Sequence, residues 1–422
     1  GDLGALWVEP SRVTYHLTVC FLSRILMADK RKICIVVNSR ANYARIKSVM
    51  RAIEEHEALD LKLIVGASAL LHRFGAVRDI IEADGFTPVS TVYSIVEGET
   101  PTTMAKSTGM GIIELATQFE NIQPDIVLTV ADRFETIATA IAASYMNIPV
   151  AHPQGGEVTG SIDESVRHAV TKLAHIHFPA TGRARDNVVR MGEDPEMVFL
   201  TGCPSIDLIA DLDLRMPPDM FERYRGVGAQ IDPSQPYLVV LQHPVTTEYG
   251  SGLDQIRETL TAVEKVGLQA AWLWPNVDAG SDDISKGLRV YRERNNPDWL
   301  HFYRHFGAED YARLINNAAC LVGNSSSGLR EGAYLGVPAV NIGTRQQGRE
   351  HGENVIHVDY DAAQIEATVN QQISHGRHQS AHLFGDGNAG RKIADVLASV
   401  EPNVQKRLTY DQSHDQGIQQ LA

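Results

Sequence analysis

Residues 125–157 read DIVLTVADRFETIATAIAASYMNIPVAHPQGGE. The runs at 125–130 and 149–151 are short, apolar and β-rich, and residues 136–145 between them carry helical spacing. A strand, a helix and a second strand in so few residues specify a parallel pair joined by a right-handed crossover. Outward from this unit the alternation continues. Strand-like runs at 32–37 and 61–65 precede it, with helical spacing at 45–56. A second series follows, with runs at 237–241, 270–274, 319–322 and 339–342 and helical segments at 253–266, 310–316 and 326–335. The fold class is therefore α/β, two doubly wound parallel sheets with a cleft between the carboxyl ends of their strands, where ligands usually bind.

Composition bounds the rest. A chain of 422 residues, 43% hydrophobic and 21% charged, is expected to form two domains, at ~100–200 residues each. With 38 Lys and Arg against 52 Asp and Glu, the net charge of −14 excludes a sequence-independent nucleic-acid binder. The 34 glycines and 18 prolines are close to ordinary usage and exclude a collagen-like or low-complexity chain. Cys20, Cys34, Cys203 and Cys320 are far apart and form no CxxC pair, which excludes a disulfide framework and suits a reducing cytoplasm. The apolar run at 15–27 is interrupted by Arg24 and falls short of the ~20 residues of a membrane span. Met27-Ala28-Asp29-Lys30 looks like a natural initiation site, so residues 1–26 read as an extension outside the fold. The first domain is expected at 27–205 and the second at 206–385. Residues 207–236, rich in Pro, Asp and Arg, contain no strand candidate and read as linker plus helix. Residues 405–422 are polar and Gln-rich and read as a mobile tail.

The chain has neither GxxxxGK[ST] nor GxGxxG after its first strand. Gly109-Met110-Gly111 reads as a flexible helix entry. A better phosphate candidate is Gly323-Asn324-Ser325-Ser326-Ser327-Gly328, which follows an apolar run and opens a helical pattern. There Ser325 and Ser326 let a diphosphate approach backbone N–H groups at a helix start. Arg345, in the next strand-to-loop junction, is placed to clamp the same phosphates. Glu331 is either a ribose acceptor or a solvated helix carboxylate; spacing leaves both open. Asp132 and Arg133 follow the strand at 125–130, and Gln154 and Glu157 follow the next. Asp163, Glu164, Arg167 and His168 then enter a helix. Carboxylates converging on one cleft are suited to proton transfer near neutral pH, because like-charge coupling keeps one protonated. His243 ends the first strand of the second series and faces across. The pairs His175/His177 and His301/His305 lack a third ligand at the usual spacing, so no metal is expected.

These residues resemble a known family. Arg40-Ala41-Asn42-Tyr43, Asp132-Arg133-Phe134-Glu135, Gly155-Gly156-Glu157 through Ile162-Asp163-Glu164 to Arg167-His168, and Gln242-His243-Pro244-Val245-Thr246-Thr247 are similar to the hydrolysing UDP-N-acetylglucosamine 2-epimerases. So are Pro275-Asn276-Val277-Asp278-Ala279-Gly280, the segment 323–331 and Gly343-Thr344-Arg345-Gln346. The resemblance runs in order from about residue 32 to residue 396. It implies two Rossmann-like domains in a glycosyltransferase-B-like arrangement, with a helix at 386–404 returning to the first domain. It implies conversion of UDP-N-acetylglucosamine and water to N-acetylmannosamine and UDP, through 2-acetamidoglucal, for sialic-type acid synthesis. By resemblance, Asp132, Glu157, Asp163 or Glu164 supply base and acid, and His243 assists near the leaving group. Arg40, Arg133, Gln154, Arg167, His168, Asn276, Ser325, Ser326, Glu331 and Arg345 line the substrate. The implied protein is cytoplasmic, a homodimer or homotetramer, with no cofactor, metal, nucleic-acid or membrane partner.

One position departs from the pattern. The animal enzyme and the non-hydrolysing relatives carry a carboxylate two residues after the His of the strand-end motif, here His152, where this chain has Gln154, and a neutral amide exchanges no proton. That role must pass to Glu157, Asp163 or Glu164, or Gln154 marks a subfamily acting on UDP-N,N'-diacetylbacillosamine or GDP-N-acetylglucosamine. Two rivals of another class are a glycosyltransferase and a non-catalytic nucleotide-sugar-binding protein.

Overall fold

The computed structural model describes residues 30–72, 77–98, 100–130, 133–275 and 278–409. The strand Arg31–Val37 (β1) is RKICIVV, with its last five residues buried. A strand apolar on both faces needs cover on both, and a parallel sheet flanked by helices supplies it. The first half strings β1, the helices Arg40–Ala44 (α1) and Lys47–Glu55 (α2), the strand Leu59–Gly66 (β2), the helix Val77–Ala83 (α3) and the strand Ser90–Val92 (β3). It continues with the helix Pro101–Ile122 (α4), strand Ile126–Leu128 (β4), helix Phe134–Tyr145 (α5), strand Val150–Pro153 (β5), helix Ile162–Leu173 (α6), strand Ile176–Phe178 (β6) and helix Gly182–Arg190 (α7). These six strands form one sheet in the order β3-β2-β1-β4-β5-β6, and their pairings are parallel.

Helices Pro204–Ala210 (α8) and Met220–Arg223 (α9) lead to the second half. There follow strands Gly226–Gly228 (β7) and Tyr237–Leu241 (β8), helix Gly252–Val266 (α10), strand Gln269–Leu273 (β9), helix Ser281–Asn295 (α11) and strand Leu300–Tyr303 (β10). Helix Ala308–Asn316 (α12), strand Cys320–Gly323 (β11), helix Glu331–Leu335 (α13), strands Ala339–Ile342 (β12) and Val355–Val358 (β13), and helix Ala362–His375 (α14) complete it. The order β13-β12-β11-β8-β9-β10-β7 repeats the topology of the first sheet and adds β7 at the edge, antiparallel to β10. Both sheets reverse strand order beside their first strand, between β1 and β4 and between β8 and β11. The crevices at these two points face one another.

The last helix, Ala389–Ser399 (α15), crosses back to the first half. Its Ile393, Ala394 and Leu397 join the core of Ile33, Ile35, Val49 and Met50. Asp207 of α8 caps it, its carboxylate accepting from the N–H groups of Ala389 and Gly390 at 2.9 and 2.6 Å.

Four local readings change. Residues 226–228 form an edge strand inside the stretch read as linker, held by pairing to β10 and with its own side chains exposed. Gly109 and Gly111 lie inside the 22-residue α4, with Gly111 packed against Ala138 of α5, instead of at a helix entry. The helical pattern at 326–335 is broken: Ser326–Gly328 is a single 3-10 turn, and α13 starts only at Glu331. The first residues of the expected mobile tail are anchored, since Lys406 Nζ donates to the carbonyls of Thr171 and Lys172 and pairs with Glu193, and Thr409 N–H donates to Gly192. The extension at 1–26 and residues 410–422 lie outside the described residues. Among the described residues no helix is long and apolar enough to cross a membrane.

Candidate active site

Strand ends of the two sheets meet at one cleft of about 1060 Å³. After β1, Ser39 caps α1 by accepting from Asn42 N–H at 3.2 Å, which sets Arg40 at the first position of the helix and Arg45 just past its end. After β4, Arg133 is the residue on which α5 begins. From the second half come His243 after β8, the serine turn after β11 and Arg345 after β12. These side chains line the cleft together with Glu331, and Tyr43, Leu273, Phe306 and Tyr311 give it a partly apolar wall. Gly323 has φ +128°, and any Cβ there would overlap the Leu241 carbonyl, so glycine is what lets β11 turn this close to β8.

The cleft is built for an anion. His243 is 4% exposed, and burial first, then Arg345, Arg40, Arg133 and Arg45, push its pKa far below the ordinary value. It is therefore a neutral imidazole, able to donate a hydrogen bond without adding charge. Arg45 Nη2 reaches across the halves to Ser326 Oγ at 2.7 Å, and Arg40 Nη1 to the Arg304 carbonyl at 2.7 Å. Arg345 Nη1 donates to the Asn324 carbonyl at 3.1 Å, while its Nη2 stands 4.0 Å from Asp163 Oδ2. Burial pulls the Arg133 pKa down, but Asp278 at 3.0 Å and Glu135 at 3.2 Å outweigh it and hold the guanidinium charged. Guanidiniums from both halves around a neutral imidazole stabilise negative charge with groups already in place, so little reorganisation is needed when charge develops.

The expected carboxylates part company. Asp163 faces Arg345 across the halves. Glu164 is used locally: its Oε2 accepts from Thr159 N–H at 2.8 Å and its Oε1 lies 3.4 Å from His168 Nε2. Glu157 does not line the cleft. It is buried with Arg330 and with Arg349 at 2.5 Å; burial would raise its carboxyl, yet Arg330, Arg349 and Arg167 outweigh this and hold it at about 2. A carboxyl so acidic stays ionised and is poorly matched to proton transfer near neutral pH. Arg167 is 0% exposed and donates to the Glu157 carbonyl at 2.7 Å, so it supports a backbone turn instead of lining the cleft. Gln154 is likewise buried, with φ +64°, and its Nε2 donates to Cys203 Sγ at 3.2 Å. Asp132 and Asn276 lie outside the described residues. Among the described residues no group of three His, Cys, Asp or Glu side chains could hold a metal ion.

Sequence reasoning missed four contributors. Arg45 ends a short helix and reads as a surface cation until Ser326 of the other half is placed against it. Asp278 lies in the motif at 275–280, where nothing local marks it as the partner of Arg133. Asn324 lies within the phosphate candidate, but nothing local shows that its amide holds His243. Tyr311 lies on the inner face of α12, where an aromatic reads as core.

The family model for UDP-N-acetylglucosamine 2-epimerase matches residues 51–398. A Legionella pneumophila protein named UDP-N,N'-diacetylbacillosamine 2-epimerase (hydrolyzing) is 32% identical over 370 residues, covering 88% of this chain and 96% of its own. A Neisseria meningitidis UDP-N-acetylglucosamine 2-epimerase is 30% identical over 375 residues, covering 88% and 96%. The crystal structure of a UDP-GlcNAc 2-epimerase from Neisseria meningitidis bound to UDP-GlcNAc superposes with a TM-score of 0.71 at 18% identity, covering 87% of this chain and 99% of that one. Such a likeness speaks for the fold, two Rossmann-like domains in the glycosyltransferase-B-like arrangement. With a family match over most of its length and relatives aligned nearly end to end, the chain belongs to the UDP-N-acetylglucosamine 2-epimerase family.

Proposed function

We propose that the protein is a hydrolysing nucleotide-sugar 2-epimerase, converting UDP-N-acetylglucosamine and water to UDP and N-acetylmannosamine. The observation that carries this reading is the ring of Arg40, Arg45, Arg133 and Arg345 around a neutral His243. The hydrogen on carbon-2 of the sugar is not beside a carbonyl and is weakly acidic. Its removal must therefore be coupled to cleavage of the carbon-1 to oxygen bond, which expels the diphosphate. The guanidiniums and the hydroxyls of Ser325, Ser326 and Ser327 take up the leaving charge, and the neutral His243 hydrogen-bonds the leaving group. Because α13 is only five residues long, hydroxyl and loop N–H donors carry this task in place of a helix dipole. The base takes the carbon-2 proton and leaves 2-acetamidoglucal. Water then adds at carbon-1 while a proton reaches the opposite face of carbon-2, and ring opening releases N-acetylmannosamine. Asp163, placed against Arg345, is one of the acid–base pair; Asp132, by resemblance, is the other. Glu331 at the cleft edge takes the ribose hydroxyls. No step requires a metal or redox cofactor.

The sugar can instead be UDP-N,N'-diacetylbacillosamine or GDP-N-acetylglucosamine, since the Legionella relative is named for the first and Gln154 departs from the pattern of the family. By the same resemblance the protein is a cytoplasmic homodimer or homotetramer. The test is incubation with each of the three nucleotide sugars in the absence of any acceptor. Free nucleoside diphosphate with the matching 2-epimerised free sugar is expected from one of them. Turnover only when an acceptor sugar is added would mean a glycosyltransferase, and tight nucleotide binding with no turnover of any would mean a binding protein.

A further inference from the structure

The cleft stays assembled through a polar contact well outside its walls. The segment after β5 leaves the first half and docks on the loop that follows β12 in the second. Gly160 N–H donates to the Arg345 carbonyl at 3.1 Å, and a Cβ on Gly160 would overlap the Thr344 carbonyl oxygen. Three residues earlier on the same segment, Glu157 Oε2 accepts from Arg349 Nη2 at 2.5 Å and Nε at 3.2 Å, and from Arg330 Nη2. The residues Glu157, Arg349 and Arg330 are 4%, 6% and 1% exposed. Arg330 follows the serine turn by three residues and Arg349 follows Arg345 by four. One carboxylate of the first half therefore grips both anion-binding loops of the second, and Arg167 fixes its backbone from the other side.

We propose that Glu157 is a positioning residue, which acts through Arg330 and Arg349 to hold the two halves closed over the cleft and exchanges no proton with the sugar. This role rests on the nucleotide-sugar reading of the cleft. Without the carboxylate, two buried guanidiniums lose the counter-charge of Glu157, and the loops carrying Arg345 and the serine turn swing away from Arg40, Arg45 and Arg133. The closed fraction falls, and apparent ligand affinity falls with it by the same factor, while molecules that do close turn over as before.

The test compares the wild-type chain with Glu157→Gln, Arg349→Gln and the double variant. UDP is the probe for binding, and amide hydrogen exchange in the ligand-free proteins reports closure. Glu157→Gln is expected to weaken UDP binding and raise KM at least tenfold, with kcat reduced less than threefold. Exchange is expected to rise at 158–161 and 343–349. The double variant is expected to bind UDP no worse than the weaker single variant, because both substitutions remove one contact. A kcat reduced a thousandfold with UDP binding intact overturns the proposal and returns Glu157 to proton transfer, as do unchanged exchange in those segments or additive losses in the double variant. Gly160→Ala perturbs the same junction without touching the ion pair and should raise exchange at 343–349 as well. A wild-type chain that binds neither UDP nor GDP refutes the nucleotide-sugar reading, and the exchange measurements still decide whether Glu157 holds the halves together.

Discussion

The side chain of Asn324 holds the backbone of His243 from both directions: His243 N–H donates to Asn324 Oδ1 at 2.7 Å, and Asn324 Nδ2 donates to the His243 carbonyl at 2.9 Å. Both residues are buried, and the Asn324 carbonyl in turn accepts from Arg345 and from Gln346 Nε2 at 2.9 Å. One amide thus fixes the ends of β8 and β11 relative to each other and sets the imidazole among its arginines.

Replacing Asn324 by Ala removes the partner of a buried N–H and of a buried C=O. At ~1–3 kcal/mol for each group left unsatisfied, unfolding free energy is expected to fall by about 2–6 kcal/mol in denaturant titration. Turnover should drop about a hundredfold, because His243 loses its position while remaining present. A variant with native stability and native kcat would show that the clamp has no role.

Because burial and the surrounding guanidiniums depress the His243 pKa, the native site refuses a proton that the unfolded chain accepts below its ordinary value of ~6.5. The resulting stability is therefore full above that pH and is lost as pH falls through it. His243→Gln removes this group from the balance. The stability difference between wild type and variant should shrink by up to about 1.4 kcal/mol per pH unit between pH ~6.5 and ~5. Parallel pH–stability curves would mean that His243 is protonated in the native cleft.

Arg45→Ala is expected to weaken UDP binding by about 10–100-fold, the range of one charge-assisted hydrogen bond at ~1.5–3 kcal/mol. Calorimetric titration of UDP measures it. A loss below threefold would remove Arg45 from the anion site and leave its bond to Ser326 as a contact between the halves only.

Asp163→Asn should lower kcat by about 10²–10⁴-fold, the usual weight of a general acid or base, with UDP affinity changed little. Glu164→Gln should lower kcat less than tenfold, because that carboxylate is occupied by Thr159 and His168. Steady-state kinetics on the two variants side by side separates them. The reverse ranking would exchange their roles.

The parallel sheets were legible because residues 33–37 of β1 and the whole of β8 are continuous apolar runs, a pattern that only a doubly covered strand needs. Strands β3, β6 and β7 have three residues each, too few for a periodicity, and β7 exists only through pairing with β10. Helix α4 escaped notice because its inward positions are Ser107, Gly111, Leu115 and Phe119, of which only the last two look apolar. Arg40, Arg133, His243, Ser325, Ser326 and Arg345 were legible as lining one cleft because each lies within five residues of a strand end. Glu157 follows one too, and was expected beside the sugar for the same reason. Its fate depends on Arg330 and Arg349, which lie more than 170 residues away in sequence, and no local pattern reveals that charge balance.

Proton removal at carbon-2 is coupled, in the proposed reaction, to loss of the nucleotide. Turnover of UDP-N-acetylglucosamine, or of whichever of the three nucleotide sugars is consumed, should be followed by NMR and mass spectrometry in heavy water. The predicted product is free nucleoside diphosphate with the 2-epimerised sugar carrying one deuterium at carbon-2. A free sugar of unchanged configuration with hydrogen at carbon-2 would contradict the account and indicate simple hydrolysis of the glycosidic phosphate.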